Sequence, residues 1–193
     1  MPRKYVLTLI IIAIIFFGGI FLILNRNSSS NKTNNQDNTK TTTQAKQFSD
    51  NATEVKYTIY GKVVGDENRR AIRITVNDTE RKLEILQGYD ERVIDSRTFS
   101  NNSSAFKDFL LALQGANFSV HDTSIKTDDR TICPLGKRYV YEADYYDGTD
   151  SLRSWTTSCT SKGVTFKGAR GTVDSLFRGQ ITDFDKLTRQ VQL

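Results

Sequence analysis

Apolar side chains recur at even spacing over two early stretches, Tyr57, Ile59 and Val63, then at every second position Ile72, Ile74 and Val76 with Arg73 and Thr75 between them. That is the period of a strand with one face buried. The polar run Gly65-Asp66-Glu67-Asn68-Arg69-Arg70 separates the two as a turn, and Asn77-Asp78 turns the chain into a third strand around Lys82 to Leu86. A loop rich in Ser and Asn follows. Phe106, Phe109, Leu110 and Leu113 then recur at helical spacing, with Asn102 or Ser103 as cap and Gly115 as stop. Farther on, Val173, Leu176 and Phe177 behind Thr172, and Phe184, Leu187 and Val191 behind Thr182, predict two more helices.

Between these helical patterns lies the stretch from Cys133 to Cys159. Tyr139, Tyr141, Ala143 and Tyr145 alternate with Val140, Glu142, Asp144 and Tyr146, so one strand carries its aromatics on one face. Asp147-Gly148 suits a two-residue turn with positive φ at both positions. If Tyr146 opposes Thr149, Glu142 falls opposite Arg153, Val140 opposite Trp155 and Gly136 opposite Cys159. A Cys133–Cys159 disulfide is then expected between the only two cysteines.

The predicted class is α+β, an antiparallel sheet built from two hairpin-then-helix units with the helices on one face. A weak echo between VNDTERKLEIL and YYDGTDSLRSW, and between FKDFLLAL and VDSLFRGQI, would fit a duplication.

Upstream, residues 5–24 hold no charged side chain and form, at 1.5 Å per residue, a helix about 30 Å long. No small-residue cleavage pattern follows, so the span is expected to be an uncleaved signal anchor inserted in the lipid bilayer. Arg3 and Lys4 hold the tail, residues 1–4, in the cytoplasm and direct the rest outside. Residues 25–55 are mostly Asn, Ser, Thr, Gln and Lys and predict a disordered linker reaching roughly 30 Å. The extracytoplasmic domain is expected over 56–193. Asn-x-Ser/Thr sequons such as those at Asn27, Asn77 and Asn117 would matter only in a secretory pathway that adds glycans.

Charge removes one class of partner. The first 50 residues hold six of the 27 Lys and Arg and two of the 22 Asp and Glu, leaving 21 basic against 20 acidic residues beyond them. The folded part lacks the one-signed field of a nucleic-acid binder. No phosphate-binding glycine loop, zinc-protease motif or Cys-x-x-Cys occurs, so no cofactor and no metal are expected; Asp144, Asp147 and Asp150 read as turn residues.

Two functional readings remain. Trp155, Arg153 and Tyr146 share the strand face opposite the tyrosines and are the residue types that dominate binding hot spots. They are the candidate contact residues of a membrane-tethered binding module with an envelope or surface protein or glycan as partner. The plan of anchor, polar tether and small disulfide-bearing domain resembles that of many bacterial surface proteins. The second reading is a small envelope enzyme: Thr131-Ile132-Cys133, Arg138 and His121 faintly resemble the His, Cys and Arg of the sortases, which would make Cys133 a transpeptidase nucleophile. The spacing departs from that family, whose His and Cys lie far apart, and Cys159 stands ready to pair with Cys133.

Overall fold

The computed structural model describes residues 48–125, 128–146, 151–159 and 162–193. The expected anchor at 5–24, the linker up to residue 47 and the Asp147-Gly148 turn lie outside them. Among the described residues no helix is long and apolar enough to cross a membrane.

Six strands make one antiparallel sheet in the order β4-β3-β2-β1-β5-β6. They are β1 (Ala52–Tyr60), β2 (Arg70–Asn77), β3 (Glu80–Gln87), β4 (Arg92–Ser100), β5 (Arg138–Tyr145) and β6 (Leu152–Thr157). Among the described residues, the helices α1 (Ser103–Gly115), α2 (Arg170–Gly179) and α3 (Phe184–Thr188) complete an α+β fold. The hairpin directly before α1 is β3–β4, not the expected β2–β3, so four strands precede α1 and two lie between α1 and α2. The missed strand, β4, is an edge with almost every residue exposed. Nothing forced its side chains to alternate.

The folded part also reaches farther upstream than the expected start at Lys56. Phe48 is buried against Phe118, with ring centroids 5.3 Å apart, and Val55 is in the core. A single Phe inside a polar run carries no periodicity and so reads as linker.

The core is on the helix side of the sheet. Val55, Tyr57 and Ile59 of β1, Ile74 and Val76 of β2, Leu83 of β3 and Tyr141 and Ala143 of β5 meet Phe106, Phe109, Leu110 and Leu113 of α1 and Val173 and Phe177 of α2. All four α1 residues are those its helical spacing selects. Tyr57 and Tyr141 stack at 5.3 Å, nearly parallel, and the Tyr57 hydroxyl donates to Asp174 of α2 at 2.6 Å. Burial pushes both hydroxyls far above the usual tyrosine pKa.

At the helix starts, Asn102 caps α1 by accepting from the Ala105 N–H at 3.0 Å. The other two caps differ from expectation. Helix α2 begins at Arg170, two residues before Thr172, without a side-chain cap, and α3 begins behind Asp183, whose φ of 58° lies in the left-handed region.

Candidate functional site: the open face of the sheet

Because α1, α2 and α3 pack on one face of the sheet, the strand register dictates what the other presents. One row across it reads Lys82, Thr75, Lys56, Glu142, Arg153; the next, Glu84, Arg73, Thr58, Val140, Trp155; the third, Leu86, Ala71, Tyr60, Arg138, Thr157. Polar and charged residues fill the first two rows almost throughout. The pairs Glu142–Arg153 and Val140–Trp155 are those the hairpin register predicts.

The third row is buried throughout, and so is the second from Thr58 through Val140 to Trp155. Cys133 and Cys159 form the expected disulfide, which staples the segment leading into β5 against the end of β6. That segment lays Ile132 onto a second apolar cluster of Tyr60, Ala71, Leu86, Val140, Trp155 and Val164. Its Pro134 carbonyl also accepts from the Val63 N–H at 2.7 Å. Gly136 leaves room for the bridge, since a Cβ there would collide with Cys133 Sγ, Ser158 Oγ and Cys159 Sγ.

This cover changes the standing of the sequence candidates. Trp155 is only 3% exposed, so the expected exposed anchor is a core residue of the second cluster. Tyr146 is 88% exposed at the end of β5. Arg153 is half-exposed and held in place: it donates from Nη2 to Asp129 at 2.9 Å and lies 3.5 Å from Glu142. Burial alone would lower its pKa, but the two carboxylates outweigh that and hold the guanidinium firmly charged. The structure therefore brings Arg153 and Trp155 onto neighbouring rows of one face while exposing only the arginine.

Sequence reading missed the partners of Arg153. Asp129 is buried and shared with Arg138, which is 1% exposed and approaches it to 3.7 Å. The Arg138 guanidinium lies 5.2 Å from the Tyr60 ring, and Arg69 lies 5.0 Å from the same ring and 4.4 Å from Tyr89. Cation–π contact compensates part of the cost of burying these charges. Burial pulls the Arg138 pKa below its ordinary value, and the like charge of Arg69 adds to the pull against the opposing Asp129. Arg69 donates to the Gly88 carbonyl at 2.5 Å, while the Nε of Arg69 and the Nε and Nη1 of Arg138 find no hydrogen-bond acceptor among the described residues. Tyr60 donates to Glu91 at 2.6 Å, and Glu91 also pairs with Arg73. Residues 60, 69, 91 and 129 come together only through the register and the stapled segment, so no local motif announces them.

The remaining candidates do not assemble. His121 is an exposed loop residue, with Nδ1 2.9 Å from the Ser119 carbonyl and a bridge to Phe166. Arg138 is buried against Asp129, and Cys133 is bonded to Cys159. Asp144 accepts from Lys56 at 2.9 Å, and Asp147 and Asp150 lie outside the described residues.

No family model matches the chain, and no curated protein matches it.

Proposed function

We propose that the chain is a membrane-tethered extracytoplasmic binding module and that its contact surface is the open face of the sheet around Arg153. The observation that carries this reading is the support given to Arg153. A half-exposed guanidinium fixed between Asp129 and Glu142 loses little freedom when a partner engages it, and such preorganised arginines make strong contacts to planar acceptors. Tyr146 adds an exposed aromatic at the rim of the same sheet. The apolar run at 5–24, with Arg3 and Lys4 before it, is the basis for the anchor, the outward topology and the polar tether. The partner is then an envelope or surface protein or glycan. The transpeptidase alternative needs a thiolate, and a cysteine in a disulfide supplies none.

A photo-crosslinking residue placed in the full chain at Arg153 or Tyr146 is expected to yield discrete adducts in the cell envelope, whereas the same residue at Lys107, on α1, yields none. Adducts from Lys107 alone would place the contact surface on the helix layer.

A further inference from the structure

The two edges of the sheet differ. Along β6, the Trp155 N–H donates to Thr165 Oγ1 at 2.8 Å and the Phe166 N–H donates to the Trp155 carbonyl at 2.9 Å, so the strip around Thr165 closes that edge. Strand β4 has no strip of this kind among the described residues. It is nine residues long, with Val93 and Ile94 each 47% exposed. A long exposed edge carrying apolar side chains is a template for another strand.

The direction of its backbone groups can be read from its end. The Asn101 N–H donates to the Thr79 carbonyl at 2.8 Å, so by alternation Asp95, Arg97 and Phe99 turn their N–H and C=O groups toward β3. Ser96 and Thr98 turn theirs outward. Consistent with this, the Ser96 N–H donates to its own neighbour Asp95 Oδ1 at 2.8 Å, and Arg97 Nη1 donates to the Ser96 carbonyl at 2.7 Å.

We infer that the β4 edge is the interface with a second copy of this chain, paired antiparallel about a two-fold axis at Ser96. In that register Ser96 faces the partner's Ser96 as a hydrogen-bonded pair, its N–H and C=O exchanging their bonds to Asp95 and Arg97 for bonds across the axis. Asp95 faces the partner's Arg97, and Arg97 the partner's Asp95. These two fall on non-hydrogen-bonded positions, where Cα atoms approach to about 4.5 Å and side chains interact most closely. The strand is self-complementary in charge, and the two-fold makes each contact occur twice. Beyond the ion pairs, Val93 and the bulged Ile94 come to the partner's Phe99 and Thr98, covering apolar surface that is exposed in one copy. An unrelated extended peptide would have no reason to match the Asp-Ser-Arg order at residues 95 to 97.

Within one copy Asp95 and Arg97 pair with each other at 2.6 Å, a local role that blunts the edge, and the two roles predict opposite signs. Cys133 and Cys159 are joined, so Ser96→Cys introduces the single free thiol of the full chain. Across the axis its Cα–Cα separation is about 5.5 Å, within disulfide range. Thr98→Cys places its two sulfurs roughly 13 Å apart along the strands. Under mild oxidation the full chain with Ser96→Cys is expected to form a covalent dimer several-fold faster than the chain with Thr98→Cys. Adding Asp95→Arg or Arg97→Asp should slow it to the Thr98→Cys rate, and adding both should restore it. Equal rates at 96 and 98 would overturn the inference, as would faster dimerisation when Asp95 and Arg97 are both changed to Ala.

Discussion

The disulfide acts at a distance through the segment it fastens, and the single tryptophan of the chain reports on it. Cys133 and Cys159 are 26 residues apart. Chain entropy alone gives a stabilisation of about 3 to 4 kcal/mol for a loop of that size. In urea, where small domains lose about 1 to 3 kcal/mol per molar, that corresponds to a fall in midpoint of roughly 1 to 4 M on reduction. The structure adds a local consequence. Trp155 is dry within the apolar cluster that also holds Val164 and that Ile132 packs against, and the bridge holds the Ile132 segment down. Reduction should therefore wet Trp155 and shift its emission to longer wavelength at denaturant concentrations where far-ultraviolet circular dichroism still reports an intact sheet and helices. Cys133→Ser with Cys159→Ser should reproduce both effects without reductant. Unchanged emission together with an unchanged midpoint would show that the segment is held by its own packing and that the account of the bridge is wrong.

Two further predictions concern buried polar groups. Tyr57, Tyr60 and Tyr141 have folded-state pKa values raised well above 10, because burial opposes the phenolate; in the unfolded chain they ionise near the ordinary value. The folded state then holds more protons above pH 10, so this contribution to stability is intact below that and is lost as pH rises, by about 1.4 kcal/mol per pH unit for each tyrosine. Absorbance titration of the eight tyrosines should show these three ionising only with alkaline unfolding; a smooth titration near pH 10 with the fold intact would contradict it. Asp129→Asn should cost roughly 3 kcal/mol, since it leaves buried Arg138 beside Arg69 without its counter-charge. Arg153→Ala should cost under about 1 kcal/mol because that side chain is half in water, and equal losses in thermal or urea melts would deny the distinction.

Legibility in the sequence followed how far each element's own neighbours determine it. Strand β2, the β5–β6 register and α1 have strong periodicity and local turn or cap chemistry, and they fold where that chemistry directs. Strand β4 has neither, because an edge strand exposed on both faces places no demand on its pattern; it exists because β3 offers it a ladder. Trp155 was misplaced for a related reason. Strand alternation correctly put it on the face away from the tyrosines, but what covers that face is a segment more than 20 residues upstream, fastened by a disulfide. The arginine cluster needed the same information. Arg69, Tyr60, Glu91 and Asp129 come from four separate parts of the chain, and only Arg153 with Glu142 could be read from a hairpin.

The central claim, that the open face around Arg153 is the binding surface, is tested most directly by one titration. With the partner identified by crosslinking, its affinity is measured for the full chain carrying Arg153→Glu and for the chain carrying Lys107→Glu, a charge reversal of the same size on the helix layer. Reversing Arg153 is expected to weaken binding by about tenfold or more, equivalent to at least about 1.4 kcal/mol, with Lys107→Glu staying close to the unmodified chain. Unchanged affinity for Arg153→Glu with a large loss for Lys107→Glu would contradict the claim and move the surface to the other side of the sheet.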